Sequence, residues 1–271
     1  MNAHEPSEAA RLSDFLITRH FARTVVVHRS IDSTNTRALA LSKLGARHGL
    51  AVVATEQTAG RGQRGRAWRS AADAGLYVSF VLRTALEPAA AAAVTLATGV
   101  AVRSALQTIS GADLGLKWPN DVLVREPGAK YGRKLAGILF EVISDQDAVG
   151  HAILGIGVNL KPPADPRLST FATGLSELGP PPEGPMPVLV AIANALEPLI
   201  DTLENGDVGG VCAAWTAGAL GIGEQVEVHH PDRVESGVFQ GLHPDGALLL
   251  DGRPMYSGRI ALPGIPRAPM L

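Results

Sequence analysis

The sequence predicts an α+β protein, with a large unit mixing strands and helices over residues 1–218 and a small all-β unit over 219–271. Three observations predict this. Hydrophobic residues make up 46% of the 271 and charged residues 18%, a balance that favours a packed core over disorder. As far as Gly218 the runs alternate between strand-like and helix-like spacing, and beyond Gly221-Ile222-Gly223 only short β-like runs with tight turns remain. A chain of this length buries roughly 70–75% of its unfolded surface, enough for one large or two smaller cores.

The elements follow in order. Residues from about Glu5 to Phe21 read as a first helix, and Val25-Val26-Val27 as a β-branched strand. Asp32-Ser33-Thr34-Asn35 caps a helix that runs from Ala38 to Leu44 and is closed by Gly45. Leu50 to Thr55 and Leu76 to Leu82 read as strands on either side of a polar loop, Gly60 to Ala72. Glu87-Pro88 opens a long alanine-rich helix ending near Ile109, with proline at a permitted first-turn position. Three strands follow: Leu116 to Val124, interrupted by Pro119, then Leu135 to Ile143, then Ala152 to Val158. Residues 161–187 are rich in proline and glycine and read as irregular, before helices over Val188 to Leu203 and between Val208 and Leu220. Runs at Gln225–His229, Ser236–Leu242, Ala247–Leu250 and Tyr256–Leu262 predict a barrel of about 45 residues. No internal repeat is evident.

Composition excludes several classes. The formal charge is −2, without the basic excess that non-specific nucleic-acid binding needs. One cysteine, Cys212, rules out a disulfide framework and zinc-finger chemistry. The start lacks a secretory pattern, and the most apolar stretch, Ala89 to Val102, is too short to span a bilayer. A cytoplasmic protein without membrane or nucleic-acid partners is expected. His229-His230 resembles a metal pair, but adjacent strand residues point to opposite faces and cannot share an ion.

Gly60-Arg61-Gly62-Gln63-Arg64-Gly65-Arg66 places three glycines and three arginines in seven residues directly after a strand. Glycines let backbone N–H groups approach a ligand, and arginines offer forked donors to phosphate or carboxylate. The loop matches G-x-G-x-x-G, but no clear helix follows and no acidic residue ends a second strand at the required distance. A Walker reading fails because Arg66 and Ala67 stand where Lys and Ser/Thr belong. An RNA-binding reading is weakened by a single short copy without interleaved Tyr or Phe. By itself the loop says anion site, mobile until an anion orders it.

Four other segments carry polar groups at breaks in regular structure. Ser33-Thr34-Asn35 lies at a helix N-terminus, where backbone and hydroxyl donors converge, and taken alone it reads as simple capping. Lys117-Trp118-Pro119-Asn120-Asp121 packs a cation, an aromatic, an amide and a carboxylate into an interrupted strand. Lys134-Leu135-Ala136-Gly137-Ile138-Leu139 starts an apolar strand with lysine, and Gly155-Ile156-Gly157-Val158-Asn159 ends one with two glycines and an amide.

Together and in this order, these five segments over about residues 30–265 resemble the biotin protein ligases. That resemblance implies a class II synthetase-like biotin/lipoyl ligase fold with a small C-terminal SH3-like barrel. It implies a two-step reaction, in which biotin and MgATP form biotinoyl-5′-AMP and the acyl group then passes to one lysine of a carboxylase's biotin carboxyl carrier domain. Lys134 and Arg61 become the catalytic candidates. Ser33, Thr34, Asn35, Gln57, Arg61, Gly62, Gln63, Lys134 and Gly137 fall to biotin. Arg64, Arg66, Trp68, Lys117, Trp118, Asn120, Asp121 and Asn159 fall to the nucleotide, with Asp121 the candidate ligand for Mg²⁺. Adenine stacking is sought at Trp118 and near Phe171, and Trp215 is read as packing.

Two departures stand out. Gln63 occupies a loop position where the family often has arginine, which shifts retention of the adenylate toward Arg61, Arg64 and Lys134. About 30 residues precede Ser33, too few for the winged-helix domain of bifunctional members, so the monofunctional type without repressor activity is expected, as a monomer or weak homodimer. A lipoate ligase or octanoyltransferase is the nearest alternative, and an RNA-binding or adaptor role of the barrel is a third.

Overall fold

A computed structural model describes residues 14–83, 91–126, 128, 130–142 and 151–265. Strands β1 (Val25–Ile31), β2 (Ala51–Gln57), β3 (Gly75–Arg83), β4 (Leu114–Lys117), β5 (Asp121–Val124), β6 (Lys134–Val142) and β7 (His151–Asn159) form one sheet, in the order β1-β2-β3-β7-β6-β5-β4. Only the β1–β2 pair is parallel, joined through helix α1 (Thr34–Lys43); the other pairs are antiparallel. Strand β3, beside the middle strand β7, is buried along almost its whole length, so it reads as a continuous apolar run because helices pack on both its faces.

Helix α2 (Ala91–Ser110) and helix α3 (Pro185–Glu204) pack together under one face of the sheet. Both are long and apolar enough by length and composition to cross a membrane, but much of each is buried within the fold. α3 starts on a proline, whose missing N–H costs nothing in a first turn. Helix α4 (Val208–Gly218) is capped by Asp207, which accepts from Gly210 N at 2.7 Å, and it sets Trp215 in the core. The other face carries α1, whose Ala38 packs with Val52, Val81 and Ile153 at one end and leaves the rest of that face open.

Strands β8 (Gln225–His229), β9 (Val234–Leu242), β10 (Leu248–Leu250), β11 (Arg253–Met255) and β12 (Arg259–Ala261) form a second, antiparallel sheet in the order β11-β10-β9-β8-β12. No pairing of β11 with β12 closes it among the described residues, so the expected barrel is an open five-stranded sheet. Its buried Phe239, Leu248 and Ile260 belong to the same apolar cluster as Leu116 and Trp118 of the large sheet. One core runs through both sheets.

Two other expectations change. Of the expected first helix, residues 14–21 are turn and bend and the remainder lies outside the described residues. That segment is pinned by Glu197 of α3, which accepts from the backbone N–H groups of Arg19 (2.6 Å), His20 (2.7 Å) and Phe21 (3.2 Å). Leu116 to Val124 is a hairpin rather than one strand, because residues 118–120 turn the chain and pair Lys117 with Asp121. The opening of the alanine-rich helix at Glu87-Pro88 and the end of the strand at Ile143 lie outside the described residues.

Candidate active site

Cross-strand register assembles the floor of the site. Reading across the sheet, Lys117 pairs with Asp121, Asp121 with Gly137, Gly137 with Gly157, and Gly157 with Tyr77. Directly paired residues share a face, so a cation and an anion stand beside a trough made by two glycines. The trough is already used. A Cβ at Gly157 would come within 2.5 Å of the Trp68 ring, and one at Gly137 within 2.8 Å of it.

Lys134 reaches this face only through a bulge. Counting by twos from Gly137 sends Lys134 to the opposite side of β6. The register shift between Val122 and Leu123 pairs Leu123 with Lys134, and residues 121 and 123 share a face. An extra residue in one strand re-aims the side chains beyond it. The Lys134 ammonium therefore lies 2.5 Å from Asp121 Oδ1 and 5.0 Å from the centre of the Trp68 ring.

The start of α1 forms a polar shelf on the same face. Thr34 donates to Gln57 Oε1 from its backbone (2.7 Å) and its hydroxyl (3.0 Å), and Gln57 Nε2 donates to Ser70 Oγ at 2.8 Å. The fully buried Ser79 hydroxyl donates to Asn35 Oδ1 at 2.5 Å and lies 2.8 Å from Thr34 Oγ1. Ser33 has extended backbone at the N-cap but makes no side-chain cap bond. It lines the cavity, so the simple capping role is not what the residue does. Gly155 makes room for this shelf, since a Cβ there would strike Asn35 Oδ1 at 2.3 Å.

The arginine–glycine loop folds back as a narrow flap. Bridges pair Gln57 with Ser70 and Arg61 with Ala67, Trp68 N donates to Gly60 O at 2.9 Å, and Gly62 N to Arg66 O at 2.8 Å. Arg64 and Gly65 take left-handed conformations (φ +58° and +73°) at the tip, where Arg64 Nη1 donates to His229 O of the second sheet at 3.2 Å. Arg61 forms an ion pair with Glu141.

Shelf, trough and flap enclose a cavity of about 570 Å³, within the size range of small-molecule sites. Ser33, Thr34, Asn35, Gln57, Arg61, Gly62, Gln63, Arg64, Arg66, Trp68, Asn120, Lys134, Gly137 and Asn159 all line it. A smaller cavity of about 100 Å³ adjoins it, and Arg66, Lys134 and Phe171 belong to both. Its walls hold three cations, Arg66, Lys117 and Lys134, beside the carboxylate of Asp121, and Arg259 of the second sheet also lines it. Trp118 lines neither. It is 5% exposed and sits in the core, so the expected nucleotide contact at Trp118 is corrected to a packing role.

The imbalance of charge shows in the titrations. Burial, partly offset by Asp121 and helped by Lys134, Arg259 and Arg66, lowers the Lys117 pKa to about 8. Burial works to raise the Asp121 pKa, yet Lys134 and Lys117 overcome it and hold the carboxylate below its ordinary value. Trp68 Nε1 is buried without a hydrogen-bond partner. Asn120 is spent on the fold, its Nδ2 donating to Ile138 O at 2.7 Å, and Asn159 Nδ2 reaches Lys134 O at 3.5 Å.

Among the described residues no group of three or more His, Cys, Asp or Glu side chains is placed to hold a metal ion. His229 pairs with Glu227 and His230 with Glu235, as two separate contacts. Sequence reasoning missed Glu141, Ser79 and Arg259. The first two had a signal, a polar residue inside an apolar strand pattern.

The family model described as "Biotin/lipoate A/B protein ligase family" matches residues 27–159. The chain is similar to a biotin–[acetyl-CoA-carboxylase] ligase of Mycobacterium tuberculosis, at 35% identity over 81% of this chain and 80% of that one. It is also similar to a biotin–[acetyl-CoA-carboxylase] ligase of Paracoccus denitrificans, at 34% identity over 86% and 95%. Among solved structures, it resembles a biotin protein ligase from Aquifex aeolicus in complex with biotin and ATP, with a TM-score of 0.73 and 27% identity over 88% of this chain and 98% of that one.

Proposed function

The chain belongs to the biotin protein ligases of the biotin/lipoate A/B protein ligase family, and on that premise we propose how its residues divide the work. The protein is a ligase that activates biotin with ATP and transfers it to a carboxylase. In the first step a carboxylate oxygen of biotin attacks the α-phosphorus, the bond to the β-phosphate oxygen breaks, and diphosphate leaves. In the second the amine of the acceptor lysine attacks the acyl carbon, AMP leaves, and the amine gives up a proton.

The observation that carries the division is the position of Lys134, at the junction of the two cavities. Two anions must meet in the first step, which is unfavourable unless fixed positive charge lies between them. Lys134 is aimed at that junction and supplies it. The shelf of Ser33, Thr34, Asn35 and Gln57 binds the ureido head of biotin, and Trp68, seated on the two glycines, forms the wall along which its chain lies. Arg61, Gly62 and Gln63 cover the bound acyl group and keep water out.

The smaller cavity suits the phosphates of MgATP. A surplus of cations beside a single carboxylate matches a substrate that brings its own anions and its own metal, because Mg²⁺ is commonly held by one or two carboxylates plus phosphate oxygens. Asp121 is the protein oxygen donor there, Arg66 and Lys117 carry the phosphate charge, and Arg64 adds to it from the main cavity. Asn159 lies toward the ribose and Phe171 toward the base. Residues 1–218 form the catalytic unit, and 219–271, with the second antiparallel sheet, form a smaller unit that contributes Arg259. The acceptor is the biotin carboxyl carrier domain of an acyl-CoA carboxylase, met in the cytoplasm by a monomer or weak dimer.

Exchange of labelled diphosphate into ATP tests the first step. Exchange driven by biotin, and absent with lipoate or octanoate, is the expected result. Exchange driven by lipoate instead would overturn the assignment.

A further inference from the structure

Glu141 lies at the lip of the main cavity, four residues beyond Gly137 on β6 and therefore on the same face. It is the one acidic side chain of that strand. Three separate pieces of the site meet on its carboxylate: the strand that carries it, the start of α1 and the flap. Asn35 Nδ2 donates to Oε2 at 2.7 Å, and Arg61 Nη2 donates to Oε1. Asn35 is itself fixed, because its Oδ1 accepts from the buried Ser79.

A half-exposed arginine–carboxylate pair by itself counts for little, since both side chains must be ordered to make it. Here one of the two is ordered already. Ser79 fixes Asn35, Asn35 fixes one carboxylate oxygen, and the other is left facing the flap. The guanidinium has five N–H donors in a rigid fork, so a bond from Nη2 leaves donors on the side that lines the cavity. The geometry also separates Glu141 from the ligand, because the cavity wall includes Asn35 and Arg61 but not Glu141.

We propose that Glu141 is a positioning residue that holds Arg61 over the cavity and so sets how long the acyl-adenylate stays bound. The adenylate half of this statement rests on the function proposed above; the flap half does not. Glu141→Gln tests both, because the amide oxygen still accepts from Asn35 while the charge facing Arg61 is lost.

In E141Q we expect biotinoyl-AMP to dissociate about tenfold faster, the equivalent of about 1.4 kcal/mol. KM for biotin rises with it, kcat for adenylation stays within about twofold, and the melting temperature is unchanged. Arg61→Gln reproduces the faster dissociation, and adding E141Q to R61Q changes nothing further, as two residues acting through one contact require. Trypsin cleavage at Arg64 and Arg66, measured on the protein alone, is about tenfold faster in E141Q. Dissociation at the wild-type rate, or a full second loss in the double variant, overturns the proposal. So does loss of folding in E141Q, which would make Glu141 structural. If the wild type forms no biotinoyl-AMP, the functional reading falls, and the trypsin rates alone then decide whether Glu141 holds the flap.

Discussion

Two carboxylates, Glu197 and Asp121, are withdrawn from solvent in this protein and have opposite surroundings. Glu197 receives three backbone N–H groups of residues 19–21, donors that have nothing else to bind. Burial works to raise its pKa, but those bonds, with Arg19 beside them, hold it below the ordinary value. Asp121 is held between the ammonium groups of Lys117 and Lys134 in a cavity that also contains Arg66. One carboxylate closes a local account of donors and acceptors; the other leaves positive charge over. Surplus charge withdrawn from water is the signature of a place where a ligand completes the balance.

The contrast is broken most severely by exchanging the consequences. Asp121→Ala should slow adenylate formation about 10²-fold by freeing Lys134 to leave the junction, with little change in melting temperature, as single-turnover kinetics and a thermal melt would show. A large drop in stability at wild-type activity would place Asp121 with Glu197. The complementary substitution, Glu197→Ala, leaves buried donors unpaired and should cost about 3 kcal/mol, or roughly 6–12 °C in melting temperature, with adenylation below the melt unaffected. The sign with pH follows. A carboxylate whose folded pKa is depressed stabilises above its unfolded pKa, and that stability is lost as pH falls through the folded value. Glu197→Gln should therefore flatten the acid limb of the stability profile.

A smaller effect sharpens the same comparison. Lys117 loses its proton near pH 8 rather than 10.5, so the free enzyme's cationic surplus shrinks as pH rises through about 8. kcat/KM for MgATP should decline there, since that ratio reports the free enzyme. Lys117→Arg stays charged and should carry the decline to higher pH; a flat wild-type profile would show that the charge is not used. The smallest effect belongs to the flap. Gln63→Arg adds one exposed cation, worth about 0.2–1 kcal/mol, and should slow escape of the adenylate by up to about fivefold in a leakage assay. No difference would refute the charge argument for that position.

Much of this was legible in the sequence because each motif sits where regular structure breaks. The glycines of β7, the flap, and Lys117, Asn120 and Asp121 of the hairpin all reach the two cavities. What the sequence hid is what depends on register and distance. Lys134 has the wrong parity for its face until the bulge beside Leu123 is known. Glu141 is 80 positions from Arg61 in the chain, and Arg259 enters from the second sheet. Trp118 looked like a ligand platform because an aromatic in a polar motif invites that reading, yet its surroundings are apolar and closed. Residues 14–21 carried helical composition, but the backbone donors that Glu197 collects require them to be unwound.

The central claim is that Lys134 at the junction of the cavities makes this chain a biotin ligase. Intact-mass measurement of an acceptor carrier domain, after incubation with the protein, biotin and MgATP, tests it most directly. The account predicts a gain of one biotinoyl group on a single lysine with the wild type and none with a folded Lys134→Ala variant. An unmodified acceptor with the wild type, or full modification by the variant, would contradict it.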